Sequence, residues 1–208
     1  MPLPIYHITH IENLESILSE GGLLAYNVML ETQTNYTNIA YENIQDRRAR
    51  IRVPCGSGGV LHDYVPFYFA PRSPMLYTIN RGNLKSCSQG QSTVIHLVSS
   101  VENIDAAGLD FVFTDGHAVM AFTEFFDDLN HLEQIDWDVM ESRYWNDTNE
   151  DNDRKRRRQA EFLVRNFFPW HLITEIGVIN STIKSQTENI LQNFTHKPSV
   201  IIRQQWYY

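Results

Sequence analysis

The sequence lacks several features that would place a protein quickly in a class. Only two of its 208 residues are cysteines, Cys55 and Cys87, and they form no CxxC pair. A disulfide framework and a cysteine-based zinc site are therefore not expected, and the cytoplasm is the expected compartment. No run of about 18 apolar residues predicts a transmembrane helix. The first residues show no basic region followed by an apolar stretch, so no signal peptide is expected.

Several catalytic motifs are also missing. The chain contains no GxGxxG, no Walker A loop and no GxSxG. A Rossmann dinucleotide site and a serine hydrolase are therefore not expected. None of the eight histidines pairs with another at a metal-ligand spacing such as HExxH. We therefore expect no bound metal.

The net charge of −8 argues against a uniformly basic coat for nucleic acid. Positive charge is nevertheless concentrated in two places. These are the group Arg47, Arg48, Arg50 and Arg52, and the unbroken basic run 154–158. A run of this kind is often a solvated face of a loop or helix. It can also follow the phosphates of a nucleic acid, and the sequence leaves both interpretations open.

Strand and helix signals mix along the chain without a regular βαβ alternation. Apolar alternation predicts strands near 4–9, 64–70, 93–99, 111–114, 161–164, 173–179 and 199–203. Helical spacing predicts helices near 11–20, 38–49, 122–132 and 181–194, with another starting at 74. We therefore predict an α+β fold in a single domain, 1–208, with a split, mainly antiparallel sheet.

Two local predictions concern the first third of the chain. The segment Thr9-His10-Ile11-Glu12 fits a capping box, so the first helix should begin after Thr9. Residues 28–38 are polar and show no periodicity, so we interpret them as a loop.

The most unusual segment is 64–77, which contains five aromatic residues and three prolines. Strand alternation places Val65, Phe67 and Phe69 on one face and Tyr68 on the other. The prolines predict an edge strand or a break in the strand. The segment is therefore either an aromatic core strand at a sheet edge or one wall of a slot for a flat ring.

A serine followed by a proline ends this segment and predicts the start of a helix. Ser73 would be the N-cap residue and Pro74 the first helical residue. Tyr77 would lie on the first turn. If the slot exists, Tyr68, Ser73 and Tyr77 are the side chains expected around an amide-bearing ring.

Glu161 is the most informative single residue. It follows the basic run and begins a predicted strand, where alternation pairs it with Leu163 and separates it from Ala160 and Phe162. A carboxylate there could bind a sugar hydroxyl and stabilise an oxocarbenium ion. The alternative is an ordinary ion pair with the preceding arginines.

Arg48, His7 and His117 also admit two interpretations each. Arg48 extends the apolar stripe of Ala40 and Ile44, so it is either part of a buried salt bridge or a ligand for an anion. His7 shares a strand face with Thr9 and either contacts a ribose or is a core histidine. His117 follows a turn and is either a surface residue or a base-contacting one.

Three of these segments together resemble the signature blocks of the ADP-ribosyltransferase fold. Poly(ADP-ribose) polymerases carry a His-Gly-Thr/Ser block, a Tyr-Phe-Ala…Ser…Tyr block and a catalytic glutamate in that order. The corresponding residues are 6–9, 68–77 and Glu161. Ile8 stands where the polymerases have glycine, so only its backbone could reach a nicotinamide amide.

Over nearly its whole length the chain resembles the DarT family of DNA ADP-ribosyltransferase toxins, in particular the thymidine-modifying branch. The segments that carry this resemblance are 5–10, 44–48, 59–69, 72–77, 96–100, 111–115, 159–164 and 206–208. It implies sequence-specific transfer of ADP-ribose from NAD to thymine in single-stranded DNA, with release of nicotinamide. It also implies a toxin–antitoxin pair, an antitoxin with a DarG-like macrodomain, no metal and a monomeric enzyme.

The resemblance also implies roles for individual residues. The catalytic residues would be Glu161 and Arg48. The NAD-binding residues would be His7, Ile8, Thr9, Ser16, Leu24, Arg48, Tyr68, Ser73 and Tyr77. The DNA-binding residues would be His117, Tyr144, Trp145, Arg154, Arg156 and Arg157. Residues 28–50 would cover the NAD, and residues 115–161 would receive the substrate and lead to the catalytic glutamate.

Three alternatives remain at this level. The chain could modify protein or RNA instead of DNA. An RNA 2′-phosphotransferase is related in fold, but it lacks the glutamate found here at position 161. A non-catalytic nucleic-acid-binding module would use the basic clusters alone and would not release nicotinamide from NAD.

Overall fold

The computed structural model describes residues 2–37, 39, 42–82 and 90–208. Its strands are Pro4–His10 (β1), Gly22–Leu24 (β2), Tyr64–Tyr68 (β3), Val94–Ser100 (β4), Phe111–Thr114 (β5), Phe125–Phe126 (β6), Glu161–Arg165 (β7), Phe167–Pro169 (β8), Glu175–Val178 (β9) and Ser199–Ile202 (β10). Its α-helices are Leu14–Ser19 (α1), Tyr26–Thr32 (α2), Glu42–Arg48 (α3), Pro74–Asn80 (α4), Val101–Ala106 (α5), Trp137–Glu141 (α6), Arg154–Arg157 (α7) and Ser181–Leu191 (α8).

Eight strands form one sheet in the order β10-β9-β4-β1-β3-β7-β5-β6, and β2 pairs with β8 in a small second sheet. Neighbouring strands are antiparallel except for β9 and β10, which are parallel. The predicted α+β class with a mainly antiparallel sheet is therefore confirmed. Within the described residues, no helix has the length and apolar character needed to cross a bilayer.

The large sheet is split between β1 and β3. These strands pair at one position only, Tyr6 with Tyr68, whereas β1 pairs with β4 along its whole length. The strands separate beyond that pair, and the carbonyl of Pro66 faces the gap, where it accepts a hydrogen bond of 2.8 Å from Nδ1 of His7. Because the N and C=O of one strand residue face the same side, the missing N–H of Pro66 also faces the gap.

This geometry corrects the prediction that β3 is an edge strand. The strand lies at the centre of the sheet, between β1 and β7. Proline is tolerated there because the split leaves no ladder partner opposite Pro66 that would need its N–H.

The alternation predicted for β3 and β7 is confirmed. Val65, Phe67 and Phe69 belong to the main hydrophobic core, as do Ala160 and Phe162. Leu163, on the other face of β7 with Glu161, packs in a separate small cluster around Tyr64 and Val112. One face of the sheet therefore carries a dense aromatic core, and Glu161 lies on the opposite face.

The helix predicted after Ser73 is also confirmed. The Ser73 hydroxyl accepts a hydrogen bond of 3.2 Å from the Leu76 N–H, and Pro74 is the first helical residue. Within the helix predicted over 38–49, the structure shows α3 at Glu42–Arg48. Arg48, at the end of α3, is buried as the apolar stripe predicts. Ala40 and Cys87 lie outside the described residues.

The capping box predicted at Thr9 is wrong. The N-cap residue is His10, whose imidazole accepts a hydrogen bond of 3.3 Å from the Glu12 N–H. Thr9 stays in β1, and its hydroxyl accepts a hydrogen bond of 3.0 Å from Asn13. Pairing of β1 with β4 extends the strand by one residue and moves the helix start with it.

The loop predicted over 28–38 is partly wrong, because α2 includes residues 28–32. The helix ends at Gln33, which has a left-handed φ of 55°. Contacts with a distant segment hold α2: the Tyr26 ring lies 4.2 Å from the His62 ring, and Asn27 donates a 2.7 Å hydrogen bond to Asp63. Tertiary packing therefore outweighs the weak local pattern.

The helix predicted over 122–132 is wrong. Phe125 and Phe126 instead form β6 and pair with Thr114 and Phe113 of β5. The Asp128 carboxylate then accepts a 2.9 Å hydrogen bond from the Asn130 N–H and starts a separate 3-10 turn. The aromatic residues that suggested a helix face are used in strand pairing and ring stacking.

The buried His96 predicts an acid-sensitive fold. It is fully buried in β4, and burial lowers the pKa of His96 from 6.5 to about 4. The unfolded chain therefore binds more protons than the folded one between these values, so stability is retained above pH 6.5 and lost as the pH falls toward 4. We expect His96 to account for roughly 3 kcal/mol of that loss.

Urea unfolding of the wild type and of His96→Gln at pH 7.5, 6, 5 and 4.5 measures this contribution. The partly buried histidines His7 and His117 have pKa values lowered in the same direction, so the pH dependence of the wild type sums the contributions of all three histidines. The variant should show a shallower fall in unfolding free energy across this range. Equal slopes for the two proteins would contradict the assignment.

Candidate active site

A cavity opens where the large sheet is split between β1 and β3. Its lining includes Leu23 and Ile17, which pack with the main core, as well as Glu161 on the opposite face. Its floor is formed by His7, Ile8 and Thr9 of β1 and by Tyr68 of β3. Its walls come from α1, α2 and α3, and Glu161 of β7 closes one end together with Arg48 and His117. The divergence of β1 from β3 is what makes room for it.

Glu161 is held by groups from three parts of the chain. Its carboxylate accepts a 2.7 Å hydrogen bond from Nη1 of Arg48 and a 3.1 Å hydrogen bond from the Ala118 N–H. Its own N–H donates to the Thr114 hydroxyl at 3.0 Å. Only 2% of Glu161 is exposed, so these partners orient the carboxylate and replace its lost hydration.

Arg48 combines the two interpretations that the sequence left open. It forms a buried salt bridge with Glu161, and its Nη2 group has no hydrogen-bond partner among the described residues. A buried guanidinium donor without a partner is costly. Because Arg48 also lines the cavity, this donor is suited to an oxygen atom of a ligand.

His7 is neutral in this setting, because burial lowers its pKa. Its Nδ1 donates to the Pro66 carbonyl, and its ring packs edge-on against Phe67 at 5.7 Å between centroids. With the proton on Nδ1, Nε2 is an acceptor. The imidazole would therefore accept a hydrogen bond from a sugar hydroxyl, rather than present an N–H to it.

His117 lies beside the Glu161 carboxylate on the loop after β5. Burial lowers the pKa of His117, and the nearby cations Arg48 and Arg47 act in the same direction against the opposing effect of Glu161. Its backbone N–H donates to the Arg156 carbonyl at 2.9 Å, which fixes the start of the loop. The cavity thus contains a second neutral imidazole next to the carboxylate.

Tyr68 lines the cavity with its hydroxyl group 3.6 Å from the Met75 sulfur. Burial raises the pKa of Tyr68, and the Glu161 charge acts in the same direction. The phenol therefore stays protonated, and its ring is an apolar surface beside the carboxylate. Ser16 and Leu24 are also predicted NAD ligands, and they line the cavity at α1 and β2.

Ser73 and Tyr77 do not line the cavity, so the expected grouping of two tyrosines and a serine around one spot is not found there. The Ser73 hydroxyl is occupied as the N-cap of α4. The Tyr77 ring packs edge-on against Trp145 and Tyr208, with centroid distances of 5.7 and 5.1 Å. The chain turns away after Tyr68, and only Met75 of α4 reaches the cavity.

The basic run folds its own loop instead of forming a free cationic surface. Arg156 forms ion pairs with Asp115 at 2.9 Å and with Asp153 at 2.8 Å. Arg157 pairs with Asp136 and Asp151. Acidic residues of the same loop therefore neutralise these cations, and the two ends of segment 115–161 are tied together.

The two aromatic residues predicted to contact DNA differ in exposure. Trp145 is buried, and its indole N–H donates to the Tyr208 hydroxyl at 3.0 Å, so its ring is not open to a base. Tyr144 is 75% exposed and remains accessible. Arg154 donates to the Tyr144 carbonyl at 2.9 Å and thereby supports the turn that presents this side chain.

Several contributors to the site were not among the residues predicted from the sequence. Ala118 acts through its backbone N–H, and Thr114 acts through a hydroxyl buried behind Glu161. Gln45 and His62 line the cavity and bond to each other at 2.8 Å. In the described part of the chain, no group of His, Cys, Asp and Glu is arranged to bind a metal ion.

Comparison with known proteins agrees with this geometry. The family model described as "ssDNA thymidine ADP-ribosyltransferase, DarT" matches residues 6–208. A DNA ADP-ribosyl transferase of Thermus aquaticus is 48% identical over 100% of this chain and 90% of the relative. A DNA ADP-ribosyl transferase–DNA ADP-ribosyl glycohydrolase fusion protein of Thermosipho africanus is 28% identical, over 91% of this chain and 46% of the fusion.

Two solved structures are similar over the whole chain. DarT of Thermus sp. 2.9 in complex with ADP-ribosylated single-stranded DNA has a TM-score of 0.93 and 48% identity, covering 100% of this chain and 97% of that one. The same enzyme in complex with NAD+ has a TM-score of 0.88 and 45% identity, covering 100% and 98%. The resemblance seen in the sequence is thus confirmed, and the chain belongs to the DarT family of single-stranded DNA thymidine ADP-ribosyltransferases.

Proposed function

We propose that this protein transfers ADP-ribose from NAD to a thymine base in single-stranded DNA and releases nicotinamide. The observation that carries the proposal is the buried Arg48–Glu161 pair. It lies at the end of a cavity that is lined by β1, β3 and helices α1, α2 and α3. The NAD+ and ADP-ribosylated DNA complexes of the Thermus relative support the same pair of substrates.

We assign the nicotinamide riboside to the end of the cavity near Glu161. There His7, Ile8, Thr9 and Tyr68 would surround the ring and its ribose. The adenosine would extend toward Ser16 and Leu24, and the segment 28–50 would cover the cofactor. Ser73 and Tyr77 are left out of this assignment because neither lines the cavity.

Glu161 would act on the bond between the ribose and nicotinamide. Its carboxylate would bind the ribose 2′-hydroxyl and stabilise the oxocarbenium ion that forms as nicotinamide leaves with the bonding electrons. A ring nitrogen of thymine would then attack the anomeric carbon and lose its proton. Single-stranded DNA lowers the cost of exposing that nitrogen, because no base pair has to be broken.

The roles of Arg48 and His117 follow from their charge states. A guanidinium group is not deprotonated in proteins, so Arg48 would stabilise the developing negative charge on thymine or orient the pyrophosphate. The neutral imidazole of His117 is a more suitable acceptor for the thymine proton than the guanidinium of Arg48. Segment 115–161 would receive the strand, with Tyr144 available for stacking and the basic run, including Arg154, Arg156 and Arg157, shaping the loop.

We also propose the biological setting of the reaction. The Thermosipho fusion protein joins a transferase to a DNA ADP-ribosyl glycohydrolase, which supports a DarG-like macrodomain antitoxin as the partner of this chain. In this setting the protein would act as the toxin of the pair, as a monomer in the cytoplasm. The antitoxin would remove the same modification that the toxin adds.

Replacing Glu161 with glutamine tests the catalytic assignment. The amide keeps the size of the side chain but removes the charge that stabilises the oxocarbenium ion, so we expect kcat to fall about 10²- to 10³-fold. Mass spectrometry of single-stranded oligonucleotides incubated with NAD measures the transfer. Unchanged transfer by this variant would overturn the proposed mechanism.

The same assay with a panel of substrates tests the target. We expect a mass gain of one ADP-ribose on thymine-containing single strands and none on strands without thymine. Annealing the complementary strand should suppress the reaction, because the thymine would then be paired and stacked. Modification of an RNA or protein substrate in place of DNA would instead favour the alternative of a transferase with another target.

Replacing Arg48 with lysine tests the requirement for a planar guanidinium. A lysine can pair with Glu161 but cannot at the same time present a second, rigidly placed N–H, so we expect at least a tenfold loss of kcat/KM. Arg81→Lys, at the exposed end of α4, is the matched control and should behave as the wild type. Near-normal activity of Arg48→Lys would rule out the role of its second nitrogen.

A further inference from the structure

Phe122 is an exposed aromatic residue on the loop that joins β5 to β6. It is 84% exposed, the largest value among the bulky apolar side chains of the described residues. Met120, two positions earlier, is 40% exposed. Neither residue contributes to the core or to the cavity, so the fold alone gives no reason for an apolar pair at this position.

The loop that carries Phe122 is closed by its own hydrogen bonds. The His117 carbonyl accepts hydrogen bonds from the Met120 N–H at 2.9 Å and from the Thr123 hydroxyl at 2.8 Å. The Thr123 N–H donates to the Met120 carbonyl at 3.1 Å, which closes a turn around Phe122. A side chain presented from a fixed backbone loses little conformational entropy when it binds a ligand.

The same loop reaches the catalytic carboxylate. The Ala118 N–H donates to Glu161, and the next carbonyl, that of Val119, accepts a 2.5 Å hydrogen bond from Arg47 of α3. Phe122 follows Ala118 by four residues, so their Cα atoms lie at most about 14 Å apart. The exposed ring therefore stands at the edge of the site, within reach of nucleotides next to the one that reacts.

Exposed charges of both signs lie at this loop: Glu124 on the loop itself, and Arg47 on α3, whose guanidinium donates to the Val119 carbonyl. Arg47, which contacts the loop, and Arg50, two residues beyond the end of α3, are exposed. Arg156 and Arg157, by contrast, have guanidinium groups that form ion pairs with aspartates. An exposed arginine bound to the loop that carries an exposed aromatic ring is a combination suited to single-stranded nucleic acid, since phosphates and bases alternate along the strand.

We propose that Phe122 is a base-stacking residue that positions the DNA strand, with Met120 widening the apolar surface. Its ring would stack on a nucleobase that flanks the target thymine, while Arg47 and Arg50 neutralise the adjoining phosphates. This inference rests on the proposed function. It names a positioning residue for the strand and not a group that takes part in bond breaking.

Steady-state kinetics with a single-stranded thymine-containing oligonucleotide test the proposal. Phe122→Ala should raise KM for the oligonucleotide roughly 5- to 100-fold, the range expected for loss of one base–aromatic stack. Phe122→Trp should stay within about threefold of the wild type, because it keeps a stacking surface. Ile202→Ala, at an exposed position of β10, is the control and should leave KM unchanged.

A spectroscopic measurement separates stacking from a change in the loop. Oligonucleotides carrying 2-aminopurine at single positions flanking the thymine should lose fluorescence on binding to the wild type. At one position that quenching should be absent with Phe122→Ala and present with Phe122→Trp.

The outcomes distinguish this inference from the proposed function. A wild type that modifies no oligonucleotide would refute the function itself. A wild type that is active, with Phe122→Ala showing the same KM and the same quenching, would overturn the stacking role alone. Equal impairment of the alanine and tryptophan variants would also overturn it, because a stacking role predicts rescue by tryptophan.

Discussion

The buried ion pair between Arg48 and Glu161 is the interaction on which the arrangement of this protein depends. It joins residues 113 positions apart, and the Ala118 N–H that completes it lies 43 positions from Glu161. Breaking a buried pair by removing one partner costs about 3–5 kcal/mol, because the other charge is left without compensation. Helix α3, the loop after β5 and the start of β7 must therefore be in place together for the pair and its hydrogen bonds to form.

The split sheet provides the space for this pair. Where β1 leaves β3, the Pro66 carbonyl is bound by the side chain of His7 instead of by a backbone N–H of β1. Phe67 and Phe162 nevertheless stay fully buried in the aromatic core. A cavity can therefore form between the central strands without exposing these core side chains.

The arginines of the basic run stabilise segment 115–161. The sequence suggested that this positive charge could bind DNA. In the structure, Arg156 and Arg157 instead form ion pairs with aspartates of the same segment. The buried Arg158 donates to backbone carbonyls at Arg72 and Val139 and joins the loop to the turn before α4. These ion pairs and hydrogen bonds hold the backbone of a large loop that has little regular structure. The loop can therefore present side chains to the substrate in fixed positions.

Patterns along the chain are enough to predict the α+β class, the core face of β3, the cap at Ser73 and the place of Glu161 at the start of a strand. Each of these depends on near neighbours in the chain: side-chain alternation, a local hydrogen bond or a family motif. The folded arrangement was needed to see that the Ala118 N–H holds Glu161, that Tyr77 packs away from the cavity and that the basic run is paired with aspartates of its own loop. Those features arise between distant segments, where packing and charge pairing outweigh local preference.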